Sequence, residues 1–257
     1  MFKIDSLSYS SPFRRYHPVE KAIAALLLFI IVLKSENYYL LFSLMILMLV
    51  LLIFPMKIKG KFLLNILIIP FFFILIGIAA VVIEVAFRSF DASFILKVSS
   101  LYIGITSASI NKGLLLFLRS YSAIIIFYTF ILSTPMCDVE YLLKKLKIPS
   151  LMRELIMLTY RYIFITINIA SNIFLSQKSR QGYINLKNSF FSLGELISSL
   201  FVKSLVFNKQ SYNALLSRGY NGELNTIDLD FTTKISHWII ILTIAAPLIY
   251  VTFWMGL

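Results

Sequence analysis

Cysteine occurs once in these 257 residues, histidine and tryptophan twice each, and only 14% of the side chains are charged. The lone thiol, Cys137, excludes a disulfide framework and reads as a small shielded group. His17 and His237 stand at opposite ends of the chain with no His-Glu-x-x-His pattern, which excludes a histidine-based zinc centre. No Gly-x-x-x-x-Gly-Lys-Ser/Thr stretch is present, so ATP is not bound in the P-loop manner. The acids beyond residue 135 are scattered, with Asp228-x-Asp230 a close pair among them. Neither a catalytic set, a metal centre nor a cofactor is expected.

What the chain has in excess is apolar surface. It is 59% hydrophobic with a mean hydropathy of +0.87, where an ordinary soluble domain is about 45–50% apolar. Most of its surface therefore needs lipid as solvent. The net charge of +12 fits lysines and arginines that hold loops on the cytoplasmic side of a membrane. Basic residues do not alternate with exposed stacking aromatics, so no nucleic-acid partner is expected.

Apolar runs fall at Val19–Leu33, Tyr38–Phe54, Leu63–Phe87, Gly113–Ser133 and Ile235–Met255. A span needs roughly 17–25 mostly apolar residues; the first run is short and relies on snorkelling at Glu20-Lys21. Residues 1–18 lack the pattern of a cleaved signal, so this first run is expected to stay as a span. Lys34-Ser35-Glu36-Asn37 turns the first two runs into a helical hairpin, and Pro70 and Gly77 are candidate kinks in the third. With the N-terminus inside, nineteen lysines and arginines lie on the cytoplasmic side and four outside. Val98–Asn111, apolar but serine-rich, is then an interfacial or re-entrant external piece. Two charges fall in apolar runs, Glu84 and Arg119. Snorkelling and a direct Glu84–Arg119 pair are the two readings of them.

Residues 135–234 form the expected cytoplasmic region, between a bundle at 1–134 and a last span at 235–257. Asp138–Lys147 reads as a short amphipathic helix with acids at its start and lysines at its end, as the helix dipole favours. Pro149 breaks it. Long helices follow at about Ser150–Arg180 and Ser189–Ser217, each apolar enough to cross on the other. They end in two echoing stretches, Ser179-Arg180-Gln181-Gly182-Tyr183 and Ser217-Arg218-Gly219-Tyr220. Each sets an arginine after a small residue, near a helix-ending glycine. Small neighbours let two backbones approach, and a guanidinium fork can then enter a partner's groove. Either arginine alone would suit a helix cap or an anionic lipid; the repetition points instead to a two-pronged plug for a soluble partner.

Further stretches carry a resemblance: Ile4-Asp5, His17-Pro18-x-x-Lys21, Leu118-Arg119, Ser133-Thr134-Pro135, Leu146-x-x-Pro149 and Tyr160-Arg161-Tyr162-Ile163, followed by the two arginine tips. In this order and spacing the chain resembles the transmembrane T components of energy-coupling factor (ECF) transporters, in particular the cobalt-type CbiQ branch. In that family the tips read Ala-Arg-x; here Ser179 and Ser217 replace the alanines. The resemblance implies an all-α polytopic protein of the cell (inner) membrane, with about five transmembrane helices and a cytoplasmic domain of crossed coupling helices. It implies that Ser179, Arg180, Gln181, Ser217, Arg218 and Gly219 dock into two ECF ATPase subunits. ATP-driven closure of those subunits would then reorient a separate substrate-binding S component in the bilayer. Cobalt is favoured by the N-terminal pattern, while nickel or a vitamin stays open, because specificity resides in another chain. Two other functions stay open on the residues alone: a permease with its own solute site, and an integral membrane enzyme that modifies lipids.

Overall fold

The computed structural model describes residues 2–56, 58–86, 94–98, 101–221 and 247. The chain divides into two compact units, the first made of 1–139 with 230–257 and the second of 140–229. In the first, α1 (Phe2–Ser10) and a short 3-10 turn (Pro12–Arg15) lead into α2 (Pro18–Lys34), α3 (Tyr38–Ile53), α4 (Gly60–Val82) and α5 (Ser107–Ser133). Then come α6 (Met136–Lys145), α7 (Ser150–Ser179) and α8 (Leu186–Ser217).

Helix starts follow local chemistry. Pro18 occupies the first turn of α2, where a missing N–H costs nothing, and His17 Nδ1 accepts the Val19 N–H at 3.2 Å. His17 is thus a buried N-cap. Asn37 Oδ1 caps α3 by accepting the Tyr39 N–H at 3.0 Å, which completes the expected hairpin turn. α4 runs through Pro70 and Gly77 without a break.

Two boundaries differ from expectation. α4 stops at Val82 rather than Phe87, at the β-branched run Val81-Val82-Ile83, and Ile83 is already extended. Stiff side chains of this kind favour strand over helix. A small antiparallel sheet then joins α4 to α5: β1 (Glu84–Ala86), β2 (Phe94–Val98) and β3 (Leu101–Ile105), in the order β1-β3-β2. Glu84 pairs with Gly104 and Val98 with Leu101. Within the expected external piece at 98–111, 101–105 form β3 and 107–111 the start of α5. The Thr106 N–H donates to Ser109 Oγ at 3.0 Å, which starts that helix six residues before Gly113.

Helices dominate the chain as expected for an all-α membrane protein. Among the described residues α4, α5 and α8 are long and apolar enough to cross a bilayer, and α3 is a shorter apolar helix of 16 residues. The sequence places α8 in the expected cytoplasmic region, although its length and composition would also suit a bilayer. The last expected span, Ile235–Met255, lies outside the described residues, as do His237, Asp228 and Asp230.

α5 is the axis of the first unit, with α2, α3 and α4 packed on it. Val32, Leu41 and Ile125 are wholly buried at this centre. Gly113 allows the close approach of α4, because a Cβ there would stand 2.5 Å from Val82 Cγ2. Lower on α4, Phe71 meets Phe117 and Tyr121 edge to face, with centroids 5.7 and 5.9 Å away. The opposite face of α4 is bare: Phe73 is 78% and Ile76 73% exposed, a surface suited to lipid.

In the second unit α7 and α8 run antiparallel. The turn between them is tied by Gln177 Nε2 donating to the Ser192 carbonyl at 2.9 Å and Ser192 Oγ donating to the Gly182 carbonyl at 2.8 Å. Midway, the rings of Tyr162 and Phe207 meet edge to face at 5.6 Å. At the far end Tyr220 donates its hydroxyl to Glu154 Oε2 at 3.1 Å.

Two contrasts test this packing by thermal unfolding in detergent. Leu41→Ala should lose about 2–5 kcal/mol, the usual cost of truncating a core leucine, whereas Leu26→Ala, on an exposed face, should shift the midpoint little. Gly182→Ala should cost about 1–3 kcal/mol of overpacking, since its Cβ would stand 2.6 Å from Ser192 Oγ and 3.0 Å from the Gln177 carbonyl. Gly194→Ala, with open space around it, should stabilise by about 0.5–1 kcal/mol.

Candidate functional site

The two tips share one backbone motif. At the end of α7 the Gln181 N–H donates to the Lys178 carbonyl at 3.1 Å and the Gly182 N–H to the Gln177 carbonyl at 2.9 Å. At the end of α8 the Gly219 N–H donates to the Leu216 carbonyl at 3.0 Å and the Tyr220 N–H to the Leu215 carbonyl at 3.1 Å. This is the Schellman ending, in which one left-handed residue lets the chain turn back on its last free carbonyls. Arg180 and Arg218 occupy the same place in it, the C-cap, with φ/ψ of −91/17° and −97/12°.

The glycines, by contrast, are not equivalent. Gly219 holds the left-handed position of its tip (φ 78°), but in the other tip Gln181 does so (φ 61°). Gly182, read from sequence as the helix-ending glycine, serves instead the close approach of Ser192. Both tips still turn directly after the arginine. The preceding serines satisfy themselves locally: Ser179 Oγ donates to the Ser176 carbonyl at 2.8 Å and Ser217 Oγ to the Asn213 carbonyl at 3.0 Å. Ser179, Arg180, Gln181, Ser217, Arg218 and Gly219 are all exposed. Neither guanidinium has a hydrogen-bond or ion-pair partner among the described residues.

The antiparallel course of α7 and α8 does not bring the arginines side by side. α8 has 32 residues, and at 1.5 Å per residue it is about 48 Å long. Arg180 precedes its N-cap and Arg218 follows its last residue, so the pair brackets the helix. Near Arg218, desolvation and then the hydrogen bond to the Glu154 carboxylate hold the Tyr220 phenol above the usual tyrosine range. Such a pair can grip two separate acceptor sites on a partner. It cannot converge on one small ligand.

A second cluster lies in the first unit and assembles motif residues that sequence reading had left separate. Lys21 Nζ donates to the Ser133 carbonyl at 3.0 Å and meets Asp138 Oδ2 at 3.2 Å. The two side chains are 9% and 0% exposed. Asp138 had been read as a dipole-favouring acid at the start of α6 and Lys21 as a snorkelling cation; the fold makes them a buried ion pair. Beside them Tyr9 Oη and Cys137 Sγ lie 3.3 Å apart. Burial first, then that contact, pushes the Tyr9 phenol well above its ordinary value.

Arg119 sends Nη2 to the buried Ser35 carbonyl at 2.9 Å, which ties α5 to the hairpin between α2 and α3. Glu84, its candidate partner, stands in β1 beyond the end of α4.

The chain is similar to known proteins over most of its length. The family model described as cobalt transport protein CbiQ matches residues 9–227. An uncharacterized protein of Methanocaldococcus jannaschii is 29% identical over 224 residues, 87% of this chain and 82% of its own length. The cobalt transport protein CbiQ of Salmonella typhimurium is 31% identical over 157 residues, 61% of this chain and 70% of its own. A putative fused cobalt transport protein CbiMQ of Methanocorpusculum labreanum is 28% identical over 220 residues, 85% of this chain and 36% of the longer protein. With its long apolar helices and a match over most of its length, the chain belongs to the CbiQ family of cobalt transport proteins and is a membrane-embedded transport component.

Proposed function

We propose that the chain is the coupling subunit of an ECF-type importer, with Arg180 and Arg218 each seated in one of two ATPase subunits. The observation that carries the reading is the equivalence of the two arginines. Both are C-caps of the same helix ending, both are exposed, and they bracket one long helix. Coincidence of that kind suits two copies of one groove. In this reading 135–234 faces the cytoplasm together with the N-terminus, while 1–134 and a last span at 235–257 lie in the membrane.

The mechanism is mechanical. Hydrolysis of ATP belongs to the partners, and closure of their dimer displaces the two grooves. An arginine in each groove follows, because a bidentate, charge-assisted contact to carboxylate or carbonyl groups resists shear better than a lysine point charge. The helices behind the arginines are tied at both ends, at Gly182–Ser192 and at Tyr220–Glu154. They pass the displacement to the bilayer, where a separate substrate-binding subunit is reoriented. Cobalt as the transported ion follows from the family and from the names of the Salmonella and Methanocorpusculum relatives.

The test is Arg180→Glu with Arg218→Glu. Each lost charge-assisted contact is worth about 1.5–3 kcal/mol, or roughly tenfold or more in affinity. The double variant should insert normally, lose co-purifying ATPase subunits and lose cobalt uptake; each single variant should lose part of both. Retention of the ATPases and of uptake by the double variant would refute the proposal.

A further inference from the structure

The buried pair Lys21–Asp138 has a position that stability alone does not explain. Replacing a buried ion pair by apolar residues of similar size is often neutral or stabilising, so such pairs are weak evidence of a stability role and better candidates for register or switching. This one joins three elements: the first turn of α2, the last residue of α5 through the Ser133 carbonyl, and the first turn of α6. α6 is also the element in which the chain passes from one compact unit to the other, between Val139 and Glu140. Asp138 thus stands one residue before that crossing, fixed to α2 from 117 positions away in sequence.

The surroundings leave room for movement. Lys21 and Ser133 also line an open-sided apolar pocket of about 220 Å³, together with Ala24, Ala25, Met48 and Thr129. A directional tie beside an open pocket has fewer packed neighbours to displace when it moves than one inside a filled core. Separating the pair would leave two buried charges unpaired, a far larger penalty than sliding one apolar side chain past another. When α6 is pulled from its far end, α2 therefore follows it rather than letting go.

We propose that Lys21 and Asp138 are positioning residues of transport: their ion pair is the joint through which displacement of α7 and α8 passes, by way of α6, to α2 in the membrane bundle. This rests on the coupling role proposed above. It is tested in the whole transporter, the chain with its ATPase and substrate-binding partners in proteoliposomes, with cobalt ion as the probe. Uptake and ATP hydrolysis are measured together for two variants, Asp138→Asn, and Lys21→Met with Asp138→Leu. Both should insert and keep the ATPases, and the apolar pair should unfold at or above the parent's temperature. Cobalt carried per ATP should nevertheless fall about tenfold or more in each. The unchanged thermal midpoint separates the joint from a merely structural contact.

An unchanged ratio in the apolar pair would overturn the joint, and so would loss of insertion or of the ATPases in both variants, which would make the pair a folding element. Failure of the underlying reading shows elsewhere. If the Arg180→Glu/Arg218→Glu form kept ATPases and uptake, the coupling role itself would fall, whatever Asp138 does.

Discussion

The first unit depends on close approach to α5. Lipid tails are as apolar as leucine, so no hydrophobic force drives helices together inside a bilayer; small residues and polar contacts must do it. α5 supplies both along its length. Gly113 admits α4, Arg119 reaches the Ser35 carbonyl of the α2–α3 hairpin, and Ser122 Oγ donates to the Leu41 carbonyl of α3 at 3.2 Å. Its last residue, Ser133, offers the carbonyl on which Lys21 settles. The ion pair with Asp138 therefore stands on a frame fixed by the same helix at several other levels.

The second unit obeys a different rule. Its helices touch through large side chains and are fastened mainly at their ends, by hydrogen bonds at the Gly182 turn and at Tyr220. Many of their apolar side chains are left uncovered, Phe190 and Phe201 among them at 75% and 65% exposed. A hairpin of this kind does not hide its surface for its own stability. It keeps both arginine tips in defined places.

Much of this was legible in the sequence, where the signal is local. The apolar runs placed α2 and α3 to within a residue or so, Pro149 marked the start of α7, and the paired arginines were visible as residue types at helix ends. What escaped was non-local. β1 exists because it pairs with β3 some twenty residues on, and the serine-rich run at 98–111 looks equally like an interfacial helix. Gln181 takes the left-handed position because Ser192 needs Gly182 free of a side chain; composition alone favours the glycine. Lys21 and Asp138 each had a sufficient local explanation, so nothing in either neighbourhood asked for the other.

The length of α8 has a consequence for steering. A body of about 48 Å whose two ends differ in advance by one helical pitch, 5.4 Å, rotates by only about 6°. In the proposed coupling role, two grips so far apart would convert coarse travel into fine angular control, and equal travel at both ends would give none. Asymmetry between the two grips, more than the size of either stroke, would thus set how far the helix turns.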